Sequence, residues 1–275
     1  MKKTLYISDL DGTLLDSNAE VSEYTVGRLN EFIKKGGYFS IATARTAATA
    51  MIITKDININ VPVVLMNGVC VFDTVKNEYV KKEEISDDIF LNLVDVLSRF
   101  KLSGFMFTLN GNELDTYYEN TDSPNARKFV EERERKFGKV FKKTSSFYEC
   151  RDKNVIYYSV TDKFDVLSPV YEALKQVEGL HLDFYRDVYA TDYWYLEISS
   201  CKASKYNAVM FIREKYGFDE VVGFGDNLND IPLFNACDRA YAVANAKEEV
   251  KEASDGIILS NLEDGVAKKI CSEYF

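Results

Sequence analysis

Histidine, tryptophan and proline are scarce in this chain, which holds one His, one Trp and four Pro among 275 residues. His181 is the only imidazole, and it lies in the middle stretch of the chain. No proline-rich linker, low-complexity tract or internal repeat marks a tethered or repetitive architecture. The five cysteines, Cys70, Cys150, Cys201, Cys237 and Cys271, are odd in number and have no close pair. That suits a reducing cytoplasm better than a disulfide framework and reads them as packing residues. Cys271 also stands one position too early for a prenylation signal. No stretch approaches the roughly 20 apolar residues needed to span a bilayer. The apolar run behind Met1-Lys2-Lys3 breaks at Ser8 and Asp9, too soon for a signal peptide. Positive charge is in deficit, with 34 Lys and Arg against 44 Asp and Glu. The net charge of -10 argues against nucleic acid and anionic membranes as partners, so an anionic ligand needs a local positive site. Core-forming residues are plentiful: 46% of the chain is hydrophobic, enough for one large domain or two ordinary ones.

The chain is organised around Asp9-Leu10-Asp11-Gly12-Thr13, directly behind the apolar run Leu5-Tyr6-Ile7. In an open parallel sheet, ligands bind beyond the carboxyl ends of strands, so a buried first strand delivers both acids to the usual place for a site. Two carboxylates so close repel unless one is protonated or a cation lies between them. Oxygen donors with no histidine or thiolate nearby favour magnesium over zinc. The plainer alternative is that Asp-Gly makes a turn and both acids face water.

Around this stretch the sequence predicts a strand at 4–8 and a helix over 22–35 capped by Ser22, with Val26, Leu29 and Ile33 as its buried stripe. A strand at 38–42, a helix at 46–55 and a strand at 62–66 complete a strand-helix-strand-helix-strand series, the pattern of a parallel sheet. A hairpin follows over 69–82. From about 84 to 190 the pattern becomes helix 87–100, a strand pair turning at Asn110-Gly111, helix 125–137, a strand at 155–160, helix 163–177 and a strand at 180–185. This reads as an inserted α+β module whose antiparallel sheet is covered on one side. Strand-helix alternation is expected to resume near Tyr193, with a strand through Leu196-Glu197-Ile198, a helix over 203–216 and the strand Val221–Phe224. The first domain then consists of residues 1–84 and 191–275, and the inserted module of 85–190.

Besides Asp9 and Asp11, three clusters stand at strand ends of the discontinuous domain: Thr43 with Arg45, Lys202 or Lys205, and Gly225-Asp226-Asn227-Leu228-Asn229-Asp230. In a parallel sheet they share one edge and so can share one site. The acidic loop suits a second half of a metal site, or a surface turn; Thr43 could cap a helix, and Lys205 could be a solvated helix-face lysine.

In these motifs the chain resembles the haloacid dehalogenase superfamily, specifically the Cof-like phosphatases with a C2-type (C2B) cap. The resemblance rests on Asp9-Leu-Asp-Gly-Thr-Leu14, on Thr43 in Ile-Ala-Thr-Ala-Arg45, on Ser204-Lys205, and on Gly225-Asp226 with Asn229-Asp230; Asn67-Gly68 and Asn245-Ala246 are further landmarks. Ala44, Tyr206 and Ala244 stand where the family commonly has glycine. The resemblance implies an α/β fold, a Rossmann-like core with a parallel sheet and an inserted α+β cap. It implies a magnesium-dependent phosphatase acting on a small phosphorylated metabolite in the cytoplasm, with a sugar phosphate first and pyridoxal phosphate or flavin mononucleotide behind it. Asp9 is then the nucleophile that forms an aspartyl-phosphate, and Asp11 the general acid and base. Magnesium is held by Asp9, the Asp11 carbonyl and Asp226, with Asp230 as ligand or orienter of water and Asn229 in support. Thr43 and Lys205 hold phosphate, with Lys202 able to share the lysine role. Arg45, Asn67 and Arg186 reach the substrate beyond its phosphate. Tyr185, Tyr189, Tyr193, Trp194 and Tyr195 could stack on a ring or merely alternate along a packed strand. A phosphosugar mutase and a non-catalytic phosphometabolite-binding protein are the alternatives; the oligomeric state is not legible.

Overall fold

The computed structural model describes residues 2–186 and 192–274. The chain opens with β1 (Thr4–Ser8), α1 (Glu23–Lys34), β2 (Tyr38–Ile41), α2 (Ala47–Ile53), β3 (Val63–Leu65), β4 (Cys70–Asp73) and β5 (Glu78–Lys82). It continues through α3 (Asp87–Ser98), β6 (Phe105–Asn110), β7 (Glu113–Tyr118), α4 (Pro124–Phe137), β8 (Phe141–Lys143), β9 (Val155–Asp162), α5 (Phe164–Leu174), β10 (Leu180–Arg186) and β11 (Trp194–Ser200). It closes with α6 (Lys205–Tyr216), β12 (Glu220–Gly225), α7 (Ile231–Asn235), β13 (Arg239–Val243), α8 (Glu248–Glu252), β14 (Gly256–Ile258) and α9 (Gly265–Tyr274). Two compact units result, Met1–Lys81 with Ser204–Phe275, and Lys82–Ala203.

The first unit is built on a five-stranded parallel sheet in the order β14-β13-β12-β1-β2. β1 is central, and Leu5 and Ile7 are fully buried, as a parallel strand covered on both faces requires. A single parallel bridge from Ala42 to Val64 brings β3 alongside β2, after which β3 turns into a small sheet with β4 and β5. In α1 the Ser22 hydroxyl accepts from the Thr25 amide, the expected cap. The fully buried stripe is Thr25, Leu29 and Phe32, one position round from the expected one, leaving Val26 and Ile33 half-buried. Because Ser8 is in register with both Phe224 and Ile41, the chain leaves β1, β12 and β2 at one edge of the sheet.

The second unit is α+β: a six-stranded sheet in the order β10-β11-β9-β6-β7-β8, antiparallel except for β7 with β8. Helices α3 and α5 bury Phe90, Leu93, Leu97, Leu167 and Val170 against Met106, Tyr158, Leu196 and Ile198. The sheet is not covered on one side only, since Phe129 of α4 packs at 4.7 Å on Phe105, whose side chain leaves β6 opposite to that of Met106.

The strand expected to restart the parallel core belongs here instead. β11 pairs antiparallel with β10 from Leu180↔Ser200 to Arg186↔Trp194, and with β9 on its other side. Its sequence carries the reason: Trp194, Leu196 and Ile198 alternate with polar residues, the period of a strand with one buried face, whereas a central parallel strand reads as a continuous apolar run. The return to the first unit therefore falls at Ala203–Ser204 and not at 190–191, and the exit at Lys81–Lys82.

Candidate active site

Asp9 follows the last residue of β1, and its amide donates to the Phe224 carbonyl at 2.9 Å, so the backbone is still part of the sheet where the first acid emerges. Gly12 then takes a left-handed turn (φ 79°), and a Cβ at this position would lie 2.5 Å from Asp226 Oδ2. Glycine is thus required both for the turn and for the approach of the two acidic loops. Thr13 Oγ1 donates to Asp226 Oδ1 at 2.8 Å, and Asn245 Nδ2 donates to the Gly12 carbonyl at 2.7 Å. Neither Thr13 nor Asn245 carried an expected site role; their signal was membership of the motifs.

The acidic loop after β12 is wound into a 3-10 turn, Leu228–Asp230, in which Asp230 Oδ2 accepts from the amides of Asp226 (2.9 Å) and Asn227 (3.0 Å). Its other oxygen faces the neighbouring elements: Lys205 Nζ donates to Asp230 Oδ1 and to Asp9 Oδ1, each at 2.6 Å. Lys205, Asp9 and Asp230 are 1%, 5% and 0% exposed, so this is a buried ion triad and not a solvated lysine on a helix face. Lys205 opens α6 immediately after the cap Ser204, whose hydroxyl accepts from the Asn207 amide. Lys202 lies in the turn before that cap, within the second unit and outside α6.

Oxygens of Asp9, Asp226 and Asp230 lie within 4.8 Å of one another. Burial first, then the Asp230 and Asp226 charges, push the Asp9 carboxyl well above the usual carboxylate range, against the pull of Lys205. Burial first and Asp230 second push Asp226 up to about 6. Burial disfavours the Lys205 ammonium, but Asp230 and Asp9 overcome it and make the proton harder to remove than in an ordinary lysine. Three acids sharing one lysine leave unneutralised charge in a buried site, a condition that a divalent cation relieves.

The Asp11 carboxylate stands outside this group and is gripped bidentately by Arg45, Nε to Oδ2 at 2.8 Å and Nη2 to Oδ1 at 2.6 Å. Thr43 is fully buried, and its hydroxyl accepts from the Arg45 amide at 3.1 Å, a local turn and not the cap of α2, which is Thr46. Asn67 Oδ1 accepts from Asn229 Nδ2 at 3.1 Å. Asp9, Asp11, Thr43, Arg45, Asn67, Lys205, Asp226, Asn229 and Asp230 are therefore all residues of the first unit. Arg186 ends β10 in the second unit. There Tyr185 and Tyr195 stack at 5.4 Å, while Trp194 packs on Phe164 and Phe184 beside the helices. Tyr189 lies outside the described residues.

A parallel α/β unit with carboxylates, a buried lysine and a threonine at its strand ends defines a class of hydrolytic and group-transfer enzymes, and comparison with known proteins gives the family. Residues 6–270 match the haloacid dehalogenase-like hydrolases. The chain belongs to that family. It is 25% identical to the 5-amino-6-(5-phospho-D-ribitylamino)uracil phosphatase YcsE of Bacillus subtilis, over 95% of this chain and 92% of that protein. It is 27% identical to a putative phosphatase of Streptococcus pyogenes, over 98% of each. The crystal structure of TM0651 from Thermotoga maritima superposes with a TM-score of 0.81 at 23% identity, covering 99% of this chain and 97% of that one, which shows the fold. Among the described residues no helix is long and apolar enough to cross a membrane.

Proposed function

We propose that this protein is a magnesium-dependent phosphatase that hydrolyses a small phosphomonoester through an aspartyl-phosphate on Asp9. The observation that carries the reading is the Lys205 bridge between Asp9 and Asp230 inside the three-carboxylate group. Such a site has an anionic nucleophile and too little positive charge of its own to receive an anionic substrate. The hard-oxygen donors Asp9, Asp226 and Asp230, with the Asp11 carbonyl, fit magnesium. When bound, the ion supplies charge that screens the nucleophile from the phosphoryl oxygens. The names of the curated relatives support the reaction class.

In the first step an Asp9 carboxylate oxygen attacks phosphorus, the bond from phosphorus to the ester oxygen breaks, and Asp11, which enters this step protonated and released from the Arg45 fork, gives its proton to the departing alkoxide. In the second, Asp11 takes a proton from water, the water oxygen attacks phosphorus, and Asp9 is released with inorganic phosphate. Lys205 holds charge on Asp9 and the phosphoryl group, and the Thr43 hydroxyl, which already accepts from the Arg45 amide, directs its own proton to a phosphoryl oxygen. Arg45 orients Asp11 and is the first candidate to meet the substrate beyond its phosphate. A sugar or polyol phosphate is the leading substrate class, in keeping with the ribityl phosphate in the name of the Bacillus subtilis relative.

The test is phosphate release from a panel of sugar phosphates, nucleotides, pyridoxal phosphate and flavin mononucleotide, with magnesium or chelator, for wild type and Asp9→Asn. Magnesium-dependent release that disappears in the variant is expected. Equal release by both proteins would remove Asp9 as nucleophile, and transfer of phosphate to a second sugar without release would move the reading to a mutase.

A further inference from the structure

The turn after β3 runs through left-handed backbone at three successive residues, of which Met66 is of a type that does not favour it. Met66 and Asn67 both take left-handed backbone, at φ 52° and 53°, and Gly68 follows at φ 98°. Such geometry is strained for methionine, and three left-handed residues in succession persist only where the surroundings hold them. The Met66 amide donates to the Arg45 carbonyl, the Asn67 amide to the Thr43 carbonyl and the Val69 amide to the Met66 carbonyl, each at 3.1 Å. The Asn67 side chain accepts from Asn229. Gly68 lies against the start of α6, where a Cβ would stand 2.1 Å from the Ser204 carbonyl oxygen and 2.8 Å from the Lys205 nitrogen. Three segments bearing site residues, Thr43–Arg45, Ser204–Lys205 and the Asn227–Asp230 turn, therefore meet on three consecutive residues.

We propose that Asn67 is a positioning residue and not a substrate contact. Through its bond to Asn229 it holds the acidic loop at the spacing at which Asp9, Asp226 and Asp230 can share a cation and Lys205. Asparagine suits the post because it tolerates the left-handed backbone and brings the acceptor that Asn229 requires. Its effect on turnover rests on the phosphatase reading above; its effect on cation binding does not.

The test is a double-mutant cycle in the full chain with Asn67→Gly, Asn229→Ala and the pair. Glycine keeps the left-handed backbone and removes only the amide, and Asn229→Ala leaves the turn untouched should Asn67→Gly not fold. Magnesium affinity is measured by calorimetry without substrate, and kcat and KM on phosphomonoesters with different leaving groups. Each single change should weaken magnesium binding about three- to tenfold, the loss of one neutral hydrogen bond, and lower kcat alike on every substrate. The pair should be no worse than the weaker single variant, because both remove one link. Multiplying losses in the pair, unchanged magnesium affinity, or a KM rise that follows the leaving group would overturn the proposal. If wild type releases no phosphate, the phosphatase reading fails while the calorimetric cycle still decides the link.

Discussion

Replacing Lys205 by methionine removes the one cation shared by the Asp9 and Asp230 carboxylates while keeping most of the side-chain volume. Lys205 is 1% exposed and donates to both carboxylates at 2.6 Å, so water cannot take over when the ammonium is gone. Breaking a buried pair by deleting one partner costs about 3–5 kcal/mol, because the other charge stays buried and uncompensated. Asp9, whose pKa is already raised with the lysine present, can take up a proton when it is gone, which places the expected loss near the lower end, at about 3 kcal/mol. A domain with about 5–15 kcal/mol of stability still folds after such a loss. Urea unfolding without divalent cation measures it, and the deficit should change little between low and moderate salt, since a buried pair is weakly screened. Added magnesium should stabilise the variant more than wild type, because the carboxylates it meets carry charge no longer offset by lysine. Turnover should fall by about 10²–10³ or more, as when a preorganised donor to a developing charge is lost. A stability loss below about 1 kcal/mol would refute the argument, since it would mean that the lysine compensates no buried charge.

Two further changes probe other parts of the chain. Gly12→Ala forces a side chain into a left-handed turn with its Cβ 2.5 Å from Asp226 Oδ2, so it should cost about 1–3 kcal/mol and weaken magnesium binding by moving Asp226; thermal unfolding with and without the ion reads both, and an unchanged ion response would count against the close approach. In the second unit the Glu197 carboxyl is pushed up to about 7, first by burial and then by the Asp183 charge, with hydrogen bonds from Tyr157 and Tyr185 working against them. An acid whose folded pKa is raised contributes stability that is complete below the unfolded value of 4.5 and is lost as pH rises to about 7, some 3 kcal/mol in all. His181, raised by its bond to Asp183 at 3.2 Å, acts in the same direction as pH climbs above 6.5. Glu197→Gln should flatten the slope of stability between pH 4.5 and 7, and an unchanged slope in calorimetric unfolding would show that the carboxyl is ionised throughout.

The parallel core was legible because its central strands are buried on both faces. Leu5-Tyr6-Ile7 and Val221–Phe224 read as unbroken apolar runs, and the first charged residues after such runs, Asp9 and Asp226, must emerge at the sheet edge where sites form. The helix start at Ser22 was legible for an equally local reason, since a cap bonds an amide three residues away. Local signals failed where the deciding partner is distant in sequence. Trp194–Ser200 was assigned to the wrong sheet because only pairing with β9 and β10 tells which unit a strand joins. Lys205 was already favoured over Lys202 in the sequence, but its contact with Asp9, 196 residues away, shows only in the fold. That Arg45 holds Asp11, and that Met66 and Asn67 are bent into left-handed backbone to tie three loops together, has no counterpart in composition or periodicity. The sequence by itself thus determined which residues stand at the ends of buried strands, because burial and capping are written in neighbouring positions. Only the tertiary structure decided which of those residues touch, because hydrogen bonds and ion pairs at 2.6–3.1 Å depend on the register of segments that the chain order keeps far apart.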